Sequence, residues 1–496
     1  MSKPKHRLMV SILESFIKKN DDQRIGILIG IRRTGKSVIL NQLKELFQMA
    51  TLINFEEITA WEQYLAFLKT DSDLLLIDEV THINDYEDAV RTIEHDVHNG
   101  GKRFKVIFTG SSYTHLRALY ASVLGGGRSK LFRLPILSFV EYLNFAGKIP
   151  TNNYNAAEIL KHYSHNPQDF YDYLDLKGLD EIGASGLRFT LDEDYLATMY
   201  DDIEASNNNC KLASSGIVMT KEDVKAICGM IAYTLSEYVK YESFVKEKGE
   251  REIKRIAKVG QFDPDILFEA KINSDVRKFR NILPPERRAN VLQFLLRCNL
   301  AYVEFQYELR DQYSLQQLLA DINAVARKQD FADIINNYNI CLINPILYTR
   351  LGKNILQQYE IDPAILYDSF VKGLLVENYI KGSYCTMLDS NYYAIYKVGG
   401  DRAPDNSLGE VDLFDDDNGV MIEIATYDKP SPNLSKHFKN EGLIRVLATT
   451  GIEEPPTANV SYHRIPFTKL CVLVDTGVLH AVPSTKVDMT IDMGFP

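Results

Sequence analysis

The chain has 496 residues, a formal net charge of −11 and 45% hydrophobic residues, which sets a prior of about three globular domains with full cores and argues against a general binder of polyanions. No apolar run approaches the ~20 residues that a membrane helix needs, and no apolar signal core follows the basic opening Met-Ser-Lys-Pro-Lys-His-Arg. Six cysteines lie far apart with no C-x-x-C pair, which argues against a zinc site or a disulfide framework and leads to the expectation of a reduced, cytoplasmic setting.

Residues 6–22 carry Leu8, Ile12, Phe16 and Ile17 at helical spacing, which predicts a helix with those side chains inward. Ile25-Gly-Ile-Leu-Ile29 then reads as a buried strand, and Val38–Phe47 as a helix with Ile39, Leu43, Leu46 and Phe47 on one face. Between them stands Gly30-Ile-Arg-Arg-Thr-Gly-Lys-Ser37, which fits G-x-x-x-x-G-K-[ST]. Strand, glycine loop and helix come in the order a phosphate cradle needs. Gly30 and Gly35 let the backbone curl so that its N–H groups point inward, and the helix adds its positive dipole end. Lys36 would reach the β- and γ-phosphates of ATP, and the Ser37 hydroxyl would ligate Mg²⁺. Arg33, Thr34 and Val38 complete the expected nucleotide-binding set.

Leu52–Phe55 reads as a second strand, followed by acidic Glu56-Glu57, and a helix is expected around Trp61–Leu68. Asp73-Leu-Leu-Leu-Ile-Asp-Glu79 is an apolar strand ending in two carboxylates. Asp78 would hold the Mg²⁺ shell, and Glu79 would polarise the water that attacks the γ-phosphate. A helix over 86–98 with Val90, Ile93 and Val97 inward leads to Phe104-Lys-Val-Ile-Phe-Thr-Gly-Ser-Ser112. Thr109 or Ser111 at that strand end would bond the γ-phosphate or the water, or cap the turn. Leu131–Leu134 is a candidate fifth strand. Alternating strands and helices predict a parallel sheet covered on both faces, with ligands at the carboxyl ends of the strands.

After Pro150 the character changes. Residues 151–190 are rich in Asn, Tyr and Asp, and Tyr195 to about Leu319 is mostly helical, with segments at 231–239 and 291–300. The second of these runs into the strand-like Ala301-Tyr-Val-Glu-Phe305, a pairing that suits a winged helix. From about Ile340 the pattern is α+β: a helix at 363–380, then strands at 392–396, 410–414, 420–424 and 444–447.

The chain resembles a family of prokaryotic AAA+-type ATPases that carry a C-terminal restriction-endonuclease-like (PD-(D/E)xK-type) domain. The matching pieces are the phosphate loop, Ile53-Asn-Phe-Glu56, Leu76-Ile-Asp-Glu-Val80, Phe108-Thr-Gly-Ser-Ser112, Gly127-Arg128 and Leu134-Pro-Ile-Leu-Ser-Phe-Val-Glu-Tyr-Leu143. Asn344-Pro-Ile-Leu347, Gly373-Leu-Leu-Val-Glu-Asn-Tyr379 and Glu410-Val-Asp412 extend it to the other end of the chain. The resemblance implies that Arg128 senses or completes the γ-phosphate site. It also implies that Glu377, Asp412 and Glu423 gather Mg²⁺ in a nuclease-like core. The expected lysine is missing, because the third piece reads Glu423-Ile-Ala425, and Lys429 and Lys436 are the candidates to replace it.

Residues 244–297 hold thirteen Lys/Arg against eight Asp/Glu. Lys254, Arg255, Lys258, Arg277, Lys278 and Arg280 would face DNA phosphates, or would form a solvated helical surface. The expected organisation is therefore an AAA+-type α/β ATPase domain at 1–150, a helical region with a winged helix at 151–335, and a restriction-endonuclease-like α/β domain at 336–496. The expected activity is ATP hydrolysis controlling a DNA- or partner-binding C-terminal region that does not itself cleave, in a protein that forms a homo-oligomer. An ATP-gated nuclease and a non-hydrolysing DNA-binding scaffold are the alternatives.

Overall fold

The computed structural model describes residues 5–30, 34–83, 85–110, 115–116, 119–120, 128–177, 179, 295–296, 300–310, 318, 339–347, 349, 369–387, 394–399, 409–426, 433–434, 436–437, 443–451, 453–454 and 462–480. Of the sequence expectations, Arg33, Ser111, Lys429, the helical segment 231–239 and nearly all of the basic stretch 244–297 lie outside the described residues. The described chain falls into two compact units, the first reaching Tyr154 and the second beginning at Asn155.

Among its described residues the first unit holds five strands, β1 (Ile25–Gly30), β2 (Thr51–Asn54), β3 (Leu74–Asp78), β4 (Lys105–Thr109) and β5 (Ser129–Leu134). They form one sheet in the order β2-β3-β4-β1-β5, and every pair is parallel. Both faces of such a sheet are covered, so its central strands read as continuous apolar runs rather than alternating ones. Leu74–Asp78 and Ile25–Gly30 are buried at every position. The helices are α1 (Leu8–Lys18), α2 (Lys36–Leu46), α3 (Ala60–Phe67), α4 (Tyr86–Asn99) and α5 (Phe139–Phe145).

Two predicted helix faces are corrected. In α1 the buried residues are Met9, Val10, Leu13 and Phe16, while Ile12 and Ile17 pack at the margin. In α2 Leu40 is buried with Ile39 and Leu43, while Leu46 is exposed. In each helix the inward stripe is rotated from the expected one, because packing against two neighbours selects a broader face than one spacing rule picks. The expected face of α4 holds, with Val90, Ile93 and Val97 buried.

The second unit contains α6 (Ala156–His162), α7 (Pro167–Leu174), β6 (Ala301–Gln306), β7 (Asn339–Leu342), α8 (Ser369–Met387), β8 (Ala394–Val398), β9 (Val411–Asp415), β10 (Val420–Ile424), β11 (Ile444–Thr449), β12 (His463–Pro466) and α9 (Phe467–Asp475). Among the described residues its seven strands run in the order β12-β11-β10-β9-β8-β6-β7. β8, β9 and β10 form an antiparallel meander, and β10, β11 and β12 are mutually parallel. β6, which the sequence pattern attaches to a winged helix, is paired with β8 on one side and β7 on the other. β12 and α9 have no counterpart among the expected elements. Phe170, Tyr173, Tyr379 and Phe467 make edge-to-face and tilted ring contacts that join α7, α8 and α9, and the Tyr379 hydroxyl donates to the buried Asp475 at 2.8 Å. Gly382 is required where α8 presses on the chain after β7: a Cβ there would stand 2.0 Å from the Ile343 carbonyl oxygen.

Candidate functional site

The carboxyl ends of β1, β3 and β4 bring three expected residues to one edge and one face. Leu28, Leu76 and Ile107 share a buried cluster with α1 and α2. Gly30, Asp78 and Thr109 follow each of them by two positions, so the period of the strand turns them to that same face. Gly30 is tight: a Cβ would lie 2.9 Å from the Leu134 side chain and 3.0 Å from its carbonyl oxygen. Gly35, just before α2, has φ 91° and ψ 28°, the left-handed region that glycine enters without strain.

Lys36 is buried, and its ammonium donates to the Gly30 carbonyl oxygen at 2.9 Å. Ser37 hydrogen-bonds the Asp78 carboxyl, which also accepts from the Glu79 N–H at 3.1 Å. Burial raises the proton affinity of Asp78 above the usual carboxylate range; the Ser37 bond opposes it, Glu79 adds to it and Lys36 offsets part. A hydroxyl and a carboxylate in contact form an all-oxygen donor pair, which suits a hard divalent cation.

Glu79 itself has φ 52° and ψ 41°. A non-glycine residue held there marks a backbone whose surroundings fix it. Its carboxylate faces His82 at 3.6 Å, and the other nitrogen of that ring faces Glu56 at 3.7 Å. His82 thus links the ends of β2 and β3, a relationship that no spacing in the sequence announces. Thr109 is fully buried, and its hydroxyl has no hydrogen-bond partner among the described residues. Thr81, in the 3₁₀ turn Val80–His82, is in the same condition.

Arg128 is not brought to this edge. It precedes Ser129, which pairs with Ile25 at the start of β1, whereas Gly30 pairs with Leu134. At ~3.3 Å per residue the two ends are roughly 17 Å apart along the strand. Arg128 is exposed and lies beside the end of α4, where burial and then Arg128 lower the proton affinity of His98. The expectation that it completes the phosphate site of its own chain is therefore corrected.

Sequence reasoning also missed a fully buried ion pair behind the loop. Arg7, just ahead of α1, donates from Nε to Glu141 Oε1 at 2.6 Å, from one terminal nitrogen to the Thr34 carbonyl at 2.5 Å, and from the other to the Pro135 carbonyl at 3.1 Å. Glu141 also accepts from the backbone N–H of Leu8 at 2.9 Å and of Ser138 at 2.9 Å. With Ser138 it makes a capping box on α5. The Ser-x-x-Glu spacing was the available signal for the cap; nothing local marks Arg7.

In the second unit, the three residues of the expected nuclease-like set are treated differently. Asp412 is half-buried on β9 and accepts from the Ile424 N–H at 2.6 Å. Burial, then the nearby Glu377 carboxylate, raise its proton affinity well above the ordinary range, with Lys381 opposing. Glu377 on α8 is 2.5 Å from Lys381, whose ammonium also lies 2.6 Å from Glu304 of β6. Glu423 accepts from the backbone N–H groups of Asn433 and Leu434 at 2.6 and 3.1 Å. Lys436, one expected substitute for the missing lysine, bonds Asn433 and is exposed. Lys381 stands four residues after Glu377 on the same helix face. Burial works against its charge, but Glu304 and Glu377 outweigh it and hold it protonated well beyond the usual lysine range. Lys397 joins Glu304 and Glu410 to the same network. Among the described residues no group of three His, Cys, Asp or Glu is placed to hold a metal ion.

The first unit is thus a parallel α/β module with a glycine loop, a buried lysine and two consecutive acidic residues on one edge. Residues 22–143 match a family model described as an AAA domain. A solved structure titled as a DNA replication initiation factor aligns over 75% of this chain and 92% of that chain, at 13% identity and a TM-score of 0.23; at that score it adds nothing to the reading. No curated protein matches the chain significantly. Among the described residues no helix is long and apolar enough to cross a membrane.

Proposed function

We propose that the first unit binds and hydrolyses ATP with Mg²⁺. The observation that carries this is the meeting of Lys36, Ser37, Asp78 and Thr109 on one sheet edge, at the start of α2. Ser37 and Asp78 would hold the cation, which supplies charge neutralisation of the phosphates when bound. Lys36 exchanges its bond to the Gly30 carbonyl for phosphate oxygens. Thr109 offers its buried hydroxyl toward the γ-phosphate side, and Glu79 orients the attacking water and accepts its proton. Because Arg128 sits at the opposite edge of its own sheet, its role is assigned to the site of a neighbouring copy in a homo-oligomer.

For the second unit we propose a restriction-endonuclease-like domain that does not cleave, and that serves as a DNA- or partner-docking part under control of the ATP state. Support for the fold is the run of α8, the meander β8-β9-β10 and the parallel β11. Support for inactivity is the way these carboxylates are held: Glu377 with Lys381, Asp412 toward its neutral form, and Glu423 through Oε2 by two backbone N–H groups. The test is ATP turnover with and without DNA, beside plasmid cleavage in Mg²⁺ or Mn²⁺ by wild type and Asp412→Ala. Turnover without cleavage is expected. Metal-dependent cleavage that vanishes in Asp412→Ala overturns the inactive reading, and absent turnover with intact ATP binding favours a scaffold.

A further inference from the structure

We infer that Arg7 and Glu141 are positioning residues for nucleotide binding: together they set the backbone of the phosphate loop. This rests on the ATP-binding reading of that loop. Its starting point is that a fully buried arginine, outside the motif, spends a guanidinium donor on the carbonyl oxygen of Thr34. Thr34 immediately precedes Gly35, whose left-handed φ of 91° turns the chain into α2. A carbonyl fixed on one side of that peptide fixes the direction of the next N–H on the other, because the peptide is planar. The loop's N–H groups are what a phosphate meets, so the orientation of this carbonyl bears directly on the cradle.

Arg7 can hold the carbonyl only because it is itself held. Its fork is divided among Glu141, Thr34 and Pro135. Lysine, with a compact ammonium on a flexible stem, cannot span three acceptors in one plane. Glu141 is fixed in turn by the Ser138 cap and the Leu8 N–H. The flanking backbone is tied down as well: the His6 N–H donates to Asn152 at 2.7 Å, the His6 carbonyl accepts from Asn144 at 3.3 Å and from the Tyr154 hydroxyl, and Lys5 donates to the Phe145 carbonyl at 2.6 Å. The Lys5 carbonyl accepts from Gln42 of α2 at 3.2 Å. Residues 5–7 thus form a strap between α5 and the loop–α2 corner, and its charged centre touches the loop. A merely structural ion pair would need none of its donors on a motif carbonyl.

The test compares wild type with Arg7→Met, Arg7→Lys and Glu141→Gln in the full chain, using a fluorescent ATP analogue, steady-state turnover and amide hydrogen exchange without nucleotide. The expected result is a nucleotide affinity weakened by about 10–100-fold in Arg7→Met, the range of one lost charge-assisted hydrogen bond, with kcat at saturation changed less than about twofold. Arg7→Lys should restore only part of the affinity. Amides of residues 34–37 should exchange faster in all three variants while β10 and β11 stay protected. If Arg7→Met does not fold, Arg7→Lys and Glu141→Gln carry the same comparison. Unchanged affinity and unchanged loop exchange in a folded variant overturn the inference. So does a loss in kcat with no change in affinity. Wild type that fails to bind the analogue would instead sink the ATP reading itself.

Discussion

Lys36 and Gly30 are bridged: the ammonium donates to the glycine carbonyl at 2.9 Å, joining the start of α2 to the end of β1. In the proposed function a phosphate would take over this existing bond. Lys36→Ala should abolish ATP turnover and weaken nucleotide binding, with little loss of stability, since one net hydrogen bond contributes about 1 kcal/mol. Thermal melting with and without nucleotide checks both halves. A nucleotide-induced melting shift equal to wild type would remove Lys36 from phosphate contact.

Glu79→Gln should keep ATP binding and lose turnover by roughly 10²–10⁴-fold, the contribution of a positioned base. Its backbone is left-handed, at φ 52° and ψ 41°, and glutamine has the shape of glutamate, so the amide should sit in the same place. Mixing Glu79→Gln with Arg128→Ala subunits extends the test. If Arg128 serves a neighbouring copy, some mixed interfaces pair an intact Glu79 with an intact Arg128, and activity above the sum of the two variants should appear. No gain on mixing, with Arg128→Ala alone fully active, would end the role of Arg128.

Asp412 should make stability fall as pH rises. Burial and Glu377 raise its folded proton affinity. Between the ordinary carboxylate range and that raised value, the folded state binds the proton that the unfolded state has released, so stability declines with pH across that window. Asp412→Asn, neutral at every pH, should flatten the slope and be relatively more stable at pH 8 than at pH 5. Urea denaturation at several pH values measures it, and an unchanged slope would show that Asp412 ionises normally.

Lys381→Met should destabilise the second unit by about 3–5 kcal/mol, the cost of leaving buried carboxylates without their cation. Adding Glu304→Gln should recover part of that loss, because one of the two stranded charges is removed. A double-mutant cycle by chemical denaturation gives the coupling. Additive losses would mean that the close approach at 2.6 Å carries no net stability.

DNA binding should be weak and salt-sensitive. The motive is the local excess of thirteen basic over eight acidic residues at 244–297. Affinity should fall by roughly 0.9 log units per phosphate contact per log unit of salt. Reversing the charge of Lys254, Arg255 and Lys258 should flatten that slope; the same slope in the reversed variant would mark these residues as solvated surface.

What was legible in the sequence was local. Apolar runs gave β1, β3, β4 and β10 because strands buried on both faces carry their signal in every residue. Gly30–Ser37 and Asp78-Glu79 were legible because loop chemistry demands those types at those spacings. What failed depended on distant chain. The inward stripe of α1 was set by α2 and β5, which no window over residues 6–22 contains. Arg7 meets Glu141 across 134 residues. Lys381 stands at i+4 from Glu377 on one helix, but its bond to Glu304 spans 77 residues. Arg128 was placed by order along the chain, whereas a parallel strand begins at the edge opposite the one where the phosphate loop lies.

The position of β6 has a practical consequence for dividing this protein. A fragment beginning at residue 336, the boundary that composition suggests, would leave out a strand that stands between β7 and β8. β7 would lose the partner it pairs with, Glu304 would no longer face Lys381, and the side of β8 that β6 covers would be bared as a row of open N–H and C=O groups. Such an edge recruits other chains. Insolubility of that fragment would therefore report a missing strand, not an unstable domain, and a fragment meant to stand alone has to begin upstream of Ala301 and carry β6 with it.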